Sequence, residues 1–237
     1  MKLKKKSELN YWLRKIYTSK IYQFFHPNDI VLKKKVFTAI YKSNHWAQSD
    51  NLSGEKVSVS GPGSNVNMKG FVNLKKNIDN FIINYEIKSI LDMPCGDFLW
   101  LNEIIKEKKI NYLGIDIVDE LITENRQNYK NRNTSFDCYD IINYIPSKKF
   151  DLILIRDLFI HLKNSDIHKI INNFKKMDFN YVALNSSTNK INIDGIVGQH
   201  RKINLLVEPF NLKKPFLVIN DGENDKFIYL FKREDLI

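Results

Sequence analysis

From residue 71 onward, short apolar runs bounded by Gly, Pro, Asn or Asp alternate with longer stretches in which apolar residues recur every three to four positions. The pattern predicts helices over 71–84, 98–108, 119–129 and 163–175, and strands over 88–93, 111–116, 133–137, 150–155 and 179–185. Strand alternating with helix implies a parallel sheet covered on both faces. Two further strands, 216–220 and 226–232, flank the turn Asp221–Asp225 and predict a hairpin at the C-terminal edge. The fold expected is α/β and Rossmann-like, a seven-stranded, mostly parallel sheet. No internal repeat is present.

Ahead of this pattern, Tyr11, Trp12, Ile16, Tyr17, Ile21, Tyr22, Phe24 and Phe25 interleave with lysine at near-helical spacing and predict an amphipathic helix. Residues 43–70 read as a loop with the core Ser58-Val-Ser-Gly-Pro-Gly-Ser64, preceded by Trp46. Two glycines around a proline fix a sharp path, and the serines add small donors. The division expected is a basic helical arm over 1–54 and a catalytic domain over 55–237.

Charge sharpens that division. The net charge of +10 resembles a nucleic-acid signature, but residues 1–45 hold eleven Lys or Arg against Glu8 and Asp29, a net of +9, so the rest carries +1. A nearly neutral domain argues against a broad nucleic-acid footprint across its face. For the arm, three readings stay open: a stripe packed on the domain or a second subunit, peripheral contact with anionic lipid, and attraction of a phosphorylated substrate. The apolar runs are far shorter than a membrane span, and Met-Lys-Leu-Lys-Lys-Lys leads into no apolar signal core. Cys95 and Cys138 form neither a disulfide framework nor a zinc site. A soluble, cytoplasmic protein without a metal is expected.

The candidate chemistry begins at Ile90-Leu-Asp-Met-Pro-Cys-Gly-Asp97, the end of a strand and a tight turn opening a helix. One glycine, Gly96, where a dinucleotide fingerprint needs three, makes NAD and FAD unlikely ligands. A nucleoside without phosphates needs only one close backbone approach, plus carboxylates for an amine and a ribose diol. Asp92 and Asp97 are candidate carboxylates. In Asn111-Tyr-Leu-Gly-Ile-Asp116 a second strand ends in an acid, at the interval expected when one helix returns the chain to an adjacent parallel strand. Asp116 would meet the diol; capping the helix at Val118 is its alternative role.

The segments Leu91-Asp-Met-Pro-Cys-Gly-Asp-Phe-Leu-Trp100, Tyr112–Ile122 and Phe150–Leu162 resemble class I S-adenosylmethionine-dependent methyltransferases. More narrowly, they resemble a bacterial group with a CGDF-type loop associated with surface-glycan biosynthesis, a variant of the more usual GxGxG loop. The resemblance covers roughly residues 55–235. It implies S-adenosylmethionine as cofactor and S-adenosylhomocysteine as product, held by Asp92, Pro94, Cys95, Gly96, Asp97, Trp100, Asp116, Ile117, Asp140, Ile141, Arg156 and Asp157. Asp140 takes the adenine amino group in that scheme, with Asp137 as the competing choice. The implied function is O-methylation of a small polar acceptor, a sugar, nucleotide-linked or phosphoramidate-type precursor, in capsule or surface-polysaccharide modification.

On the acceptor side, Ser60, Gly61 and Ser64 of the serine-glycine loop, with Arg201 and Asn204 of the polar segment after strand 5, are the candidate substrate-binding residues. Arg201 could instead tie that segment to the domain. A hydroxyl nucleophile needs its proton removed, which makes His161 the first candidate base and His200 the second. His200 stands where the family often has an aromatic before the arginine. Arg156-Asp-Leu-Phe159 replaces the Asn/Asp-Pro-Pro-Tyr/Phe motif that orients an exocyclic amine, so methylation of nucleic-acid bases loses support. The rival expectations are an RNA methyltransferase that uses the basic arm, and a non-catalytic partner subunit.

Overall fold

The computed structural model describes residues 2–26, 31–49, 58–222 and 224–236. Three helices form the arm: α1 (Lys2–Tyr17), α2 (Lys20–Phe25) and α3 (Leu32–Lys42). The domain follows as α4 (Phe71–Asn84), β1 (Ser89–Asp92), α5 (Leu99–Ile105), β2 (Asn111–Asp116), α6 (Asp119–Tyr129), β3 (Thr134–Cys138), β4 (Phe150–Ile155), α7 (Asn164–Asn173), β5 (Phe179–Ser186), β6 (Leu217–Asn220) and β7 (Phe227–Lys232). The seven strands lie in the order β3-β2-β1-β4-β5-β7-β6. β1 to β5 run parallel, and the β6–β7 hairpin adds β7 antiparallel to β5.

Side chains of neighbouring strand residues leave on opposite faces, and the sheet is apolar on both. Leu91, Ile153, Val182 and Phe231 enter one core with Ile167 and Ile170 of α7. Ile90, Leu152, Ala183 and Leu230 enter the other, with Leu74, Ile78 and Phe81 of α4 and Leu101 and Ile104 of α5. Burial on both sides explains why β4 has four consecutive apolar residues, Leu152–Ile155, rather than an alternating pattern. Boundaries shift only where a local group takes over. The Asp151 carboxylate accepts from the N–H groups of Lys88 and Ser89, so β1 starts one residue later than the pattern predicts. Phe98 takes a left-handed φ of 60°, and α5 begins after it.

The arm is not one helix. α3 buries Leu32, Val36, Ala39 and Ile40, and clusters with Val197 of the segment after β5. Gly198, at φ +84°, lets this contact close: a Cβ there would lie 2.4 Å from Val36 Cγ1. Gln23 of α2 is buried and bridges, its Nε2 donating to the Val197 carbonyl at 3.0 Å and its Oε1 accepting from the Val197 N–H at 3.0 Å. Lys33 pairs with Asp166 at 3.4 Å, Lys34 with Asp119 at 2.5 Å, and Lys42 with Glu120. The expected boundary at residues 54 and 55 lies outside the described residues, but α3 is packed on the domain. Among the described residues no helix is long and apolar enough to cross a membrane.

Candidate active site

Ligands of open α/β sheets bind beyond the carboxyl ends of the strands, where the order reverses between β1 and β4. A cavity opens there. Its floor is the turn after β1, with Pro94, Cys95 and Gly96, and the acid ending β2, Asp116. Ile117, Asp140 and Ile141 form one side, and Trp100, Arg156 and Asp157 the other.

Gly96 has φ +53°, and a Cβ on it would meet Ser60 Oγ at 2.3 Å, so this position requires glycine twice over. The turn is cross-braced: Ser60 Oγ accepts from the Asp97 N–H at 2.8 Å, and the Gly96 carbonyl accepts from Asn125 Nδ2 at 2.7 Å. Asp116 caps the next helix and remains on the cavity lining. Its Oδ1 accepts from the Val118 N–H at 3.1 Å, its Oδ2 from the Gly96 N–H at 3.3 Å, and the carboxyl still faces the cavity. Burial lifts its pKa to about 6, against the lowering effect of those backbone bonds.

Two of the expected cofactor carboxylates are elsewhere. Asp92 is buried beneath the turn, its Oδ2 accepting from the Tyr112 hydroxyl at 2.9 Å, and burial raises its pKa to about 8. Asp97 caps and ties: Oδ1 accepts from the Leu99 N–H at 3.3 Å and Oδ2 from the Val59 N–H at 2.9 Å. Neither lines the cavity. Asp137 pairs with Arg126 at 2.8 Å on the outer surface, which leaves Asp140 as the acid of that pair on the cavity wall.

Arg156 is held as a structural cation. Its Nε donates to Asp221 Oδ1 at 2.9 Å, Nη1 to Ser64 Oγ at 3.3 Å and Nη2 to the Gly63 carbonyl at 2.6 Å, with the guanidinium 4.6 Å from the Trp100 ring centroid. It thereby fixes the serine-glycine loop over the sheet edge. Asp157 sits at φ +58° and pairs through Oδ2 with Lys226 at 2.9 Å. Burial alone would raise its pKa, but Arg156 and Lys226 outweigh that and hold the carboxyl ionised below its usual range. Its Oδ1 is buried with no hydrogen-bond partner.

A second cavity adjoins the first. Ser60 and Gly61, Asn185 to Ser187, and His200 and Arg201 line it. Trp46, Ser60, Asp157 and His161 belong to both cavities and form the wall between them. The His161 ring stacks on Trp46, its Nδ1 lacks a partner, and burial drives its pKa down to about 4, leaving it neutral. His200 lies 6.1 Å from it, ring to ring. Arg201 is tied as the alternative reading had it, donating to the carbonyls of Ile193 and Leu162. Asn204 does not reach the cavity; it braces its own segment, donating to the Asn189 carbonyl at 2.8 Å and accepting from the Leu206 N–H at 2.9 Å.

Sequence reasoning assigned no site role to Trp46 or to the contribution of α3. Lys33, Phe37 and Tyr41 complete the roof of the first cavity. Phe37 and Tyr41 stand four apart on one helical face, a detectable spacing, but nothing local says which surface that face covers.

Residues 90–177, from β1 through α7, match the family described as methyltransferase domain. No curated protein matches the chain. The N-methyltransferase NodS from Bradyrhizobium japonicum WM9, in complex with S-adenosyl-L-homocysteine, superposes with TM-score 0.53 at 13% identity, over 81% of this chain and 97% of that one. The methyltransferase domain of bacterial CtHen1-CN gives 0.51 at 11% identity, over 68% and 97%. At these identities the likeness establishes the Rossmann-like methyltransferase fold. The domain match within that fold defines a methyltransferase enzyme, of the class whose methyl donor is S-adenosylmethionine.

Proposed function

We propose that this enzyme methylates a hydroxyl oxygen of a small polar acceptor, a sugar, nucleotide-linked or phosphoramidate-type precursor of capsule or surface polysaccharide. The observation that carries the reading is the shared wall. Two cavities meeting only across Trp46, Ser60, Asp157 and His161 suit a donor on one side and an acceptor on the other.

When bound, S-adenosylmethionine supplies an electrophilic methyl group on a sulfonium. Asp116 would accept from the ribose diol, Asp140 from the adenine amine, and Gly96 allows the backbone to approach the nucleoside. Ser60 and the Trp46–His161 stack confine the reacting groups and exclude water, which aligns an in-line displacement. His161, held neutral by burial, would take the proton of the acceptor hydroxyl as that oxygen is methylated. The ionised Asp157 lies close enough to favour the imidazolium so formed.

Hydrogen-bonding side chains on the lining of the second cavity, among them Ser60, Ser186, Ser187 and His200, support a hydroxylated substrate. An RNA acceptor has less support, since Lys33, Lys34 and Lys42 of the arm are engaged with acids of the domain. The test is incubation of the purified protein with methyl-labelled donor and panels of nucleotide sugars, free sugars and RNA, read by mass spectrometry. Label on a sugar oxygen is the expected result. Label on RNA, or on no acceptor by a protein that binds the donor, overturns the reading.

A further inference from the structure

The three helices of the arm differ in what covers their apolar faces. α3 buries its stripe and pairs its lysines with the domain. The other two each leave a stripe bare. In α1, Leu9, Trp12 and Ile16 stand at i, i+3 and i+7 and are 57%, 59% and 48% exposed. In α2, Ile21, Phe24 and Phe25 stand at i, i+3 and i+4 and are 74%, 75% and 73% exposed. These are not misplaced core faces, because other residues of the same helices do the docking. Gln23 is buried against Val197, and Tyr17 and Tyr22 pack on the α3 cluster.

The sequence that carries these stripes is strongly basic. Residues 1–26 contain seven Lys or Arg and a single acid, Glu8. Lys15 Nζ lies 4.6 Å from the Tyr11 ring centroid and 5.4 Å from that of Trp12, so a cation sits directly beside the exposed aromatics. Large apolar side chains on one face with lysine and arginine at its border is the arrangement of a helix lying in a bilayer interface. A second copy of the chain would bring two cationic borders together, which disfavours self-association through this face.

We propose that α1 and α2 are a peripheral anchor for an anionic phospholipid surface. Leu9, Trp12, Ile16, Ile21, Phe24 and Phe25 enter the acyl boundary, and Lys15 and Lys20 meet the headgroup phosphates. The inference is independent of the acceptor.

Sedimentation of the full chain with vesicles tests it, using phosphatidylcholine alone and phosphatidylcholine mixed equally with phosphatidylglycerol. Binding to the mixed vesicles should be roughly tenfold tighter or more, and should weaken with salt. Phe24→Ser with Phe25→Ser should lower it at least about tenfold. Lys15→Gln and Lys20→Gln should each lower it about fivefold. All four positions are exposed, so thermal melting and donor binding should not change; if a variant does not fold, the two vesicle compositions and the salt series still decide. No sedimentation, equal binding to both vesicles, or a concentration-dependent dimer in light scattering that the Phe24/Phe25 variant abolishes would overturn the proposal.

Discussion

The Trp46 indole lies on the His161 imidazole, with ring centroids 4.8 Å apart and planes 26° from parallel. Trp46 comes from the segment after α3 and His161 from the turn after β4, so this stack joins arm to domain at the wall between the two cavities. Burial is what depresses the imidazole pKa to about 4. Trp46→Ala should hydrate the ring and move its titration toward the ordinary value near 6.5, measured by NMR of labelled histidine. A wild-type His161 that titrates near 6.5 removes the premise. His161→Ala should lower turnover by about two orders of magnitude with donor affinity unchanged, and equal turnover rules it out as the base.

Asp116 predicts a pH dependence of donor affinity. Its carboxyl titrates at about 6 in the free protein, and hydrogen bonds from a ribose diol favour the ionised form, which lowers that value in the complex. Affinity should therefore be flat above about pH 6 and fall as pH drops below it, with proton release on binding at pH 6. Calorimetry in buffers of different ionisation enthalpy measures the proton directly. Asp116→Asn should weaken the donor at least about tenfold, the loss of a charged acceptor's bonds, and flatten the profile. A pH-independent affinity contradicts the assignment.

Gly96→Ala should be more damaging than its one methyl suggests. The added carbon meets Ser60 Oγ, at a φ that side chains rarely adopt, so the turn and the 58–64 loop cannot both keep their places. Donor binding should be lost by calorimetry. Ser60→Gly in the same chain should recover part of it by relieving the contact, whereas the strain of the positive φ remains.

Arg156 and Asp221 form a buried ion pair, with Asp221 fully covered and Lys226 also within 3.2 Å of it. Arg156→Met leaves the carboxylate without its nearest charged partner and should cost about 3–5 kcal/mol, read as a fall in thermal midpoint. A variant as stable as the wild type would show that Lys226 alone neutralises the site.

Elements that carry their own pattern were legible. β4, buried on both faces, is a continuous apolar run, and the acid ending β2 sits at the interval one helix imposes, so the parallel strands, the C-terminal hairpin and the place of Asp116 at a strand end all followed from the chain. Direction of short polar side chains did not follow. Asp97 stands beside the cavity glycine yet turns away to cap Leu99 and hold Val59, because two nearby N–H groups satisfy it at once. Arg156 and Asn204 were similarly placed near the site by sequence, while their partners, Asp221 and Asn189, decide that they brace it. Least legible was the arm. The lysines of α3 look like a solvated charge run until Asp119, Glu120 and Asp166 are brought opposite them by the fold.

That docking predicts a coupling between the arm and the methyl donor. Lys33, Phe37 and Tyr41 are at once part of α3 and part of the lining of the first cavity, so if that cavity takes the donor, the factor by which a docked arm tightens the donor equals the factor by which the donor holds the arm in place. Saturating donor should slow protease cleavage within residues 31–45, and deletion of residues 1–45 should weaken donor binding by that same factor. Equal cleavage rates with and without donor would show the two to be uncoupled. If the arm also rests on a lipid surface, the same reciprocity lets the state of that surface set how firmly the enzyme keeps its methyl donor.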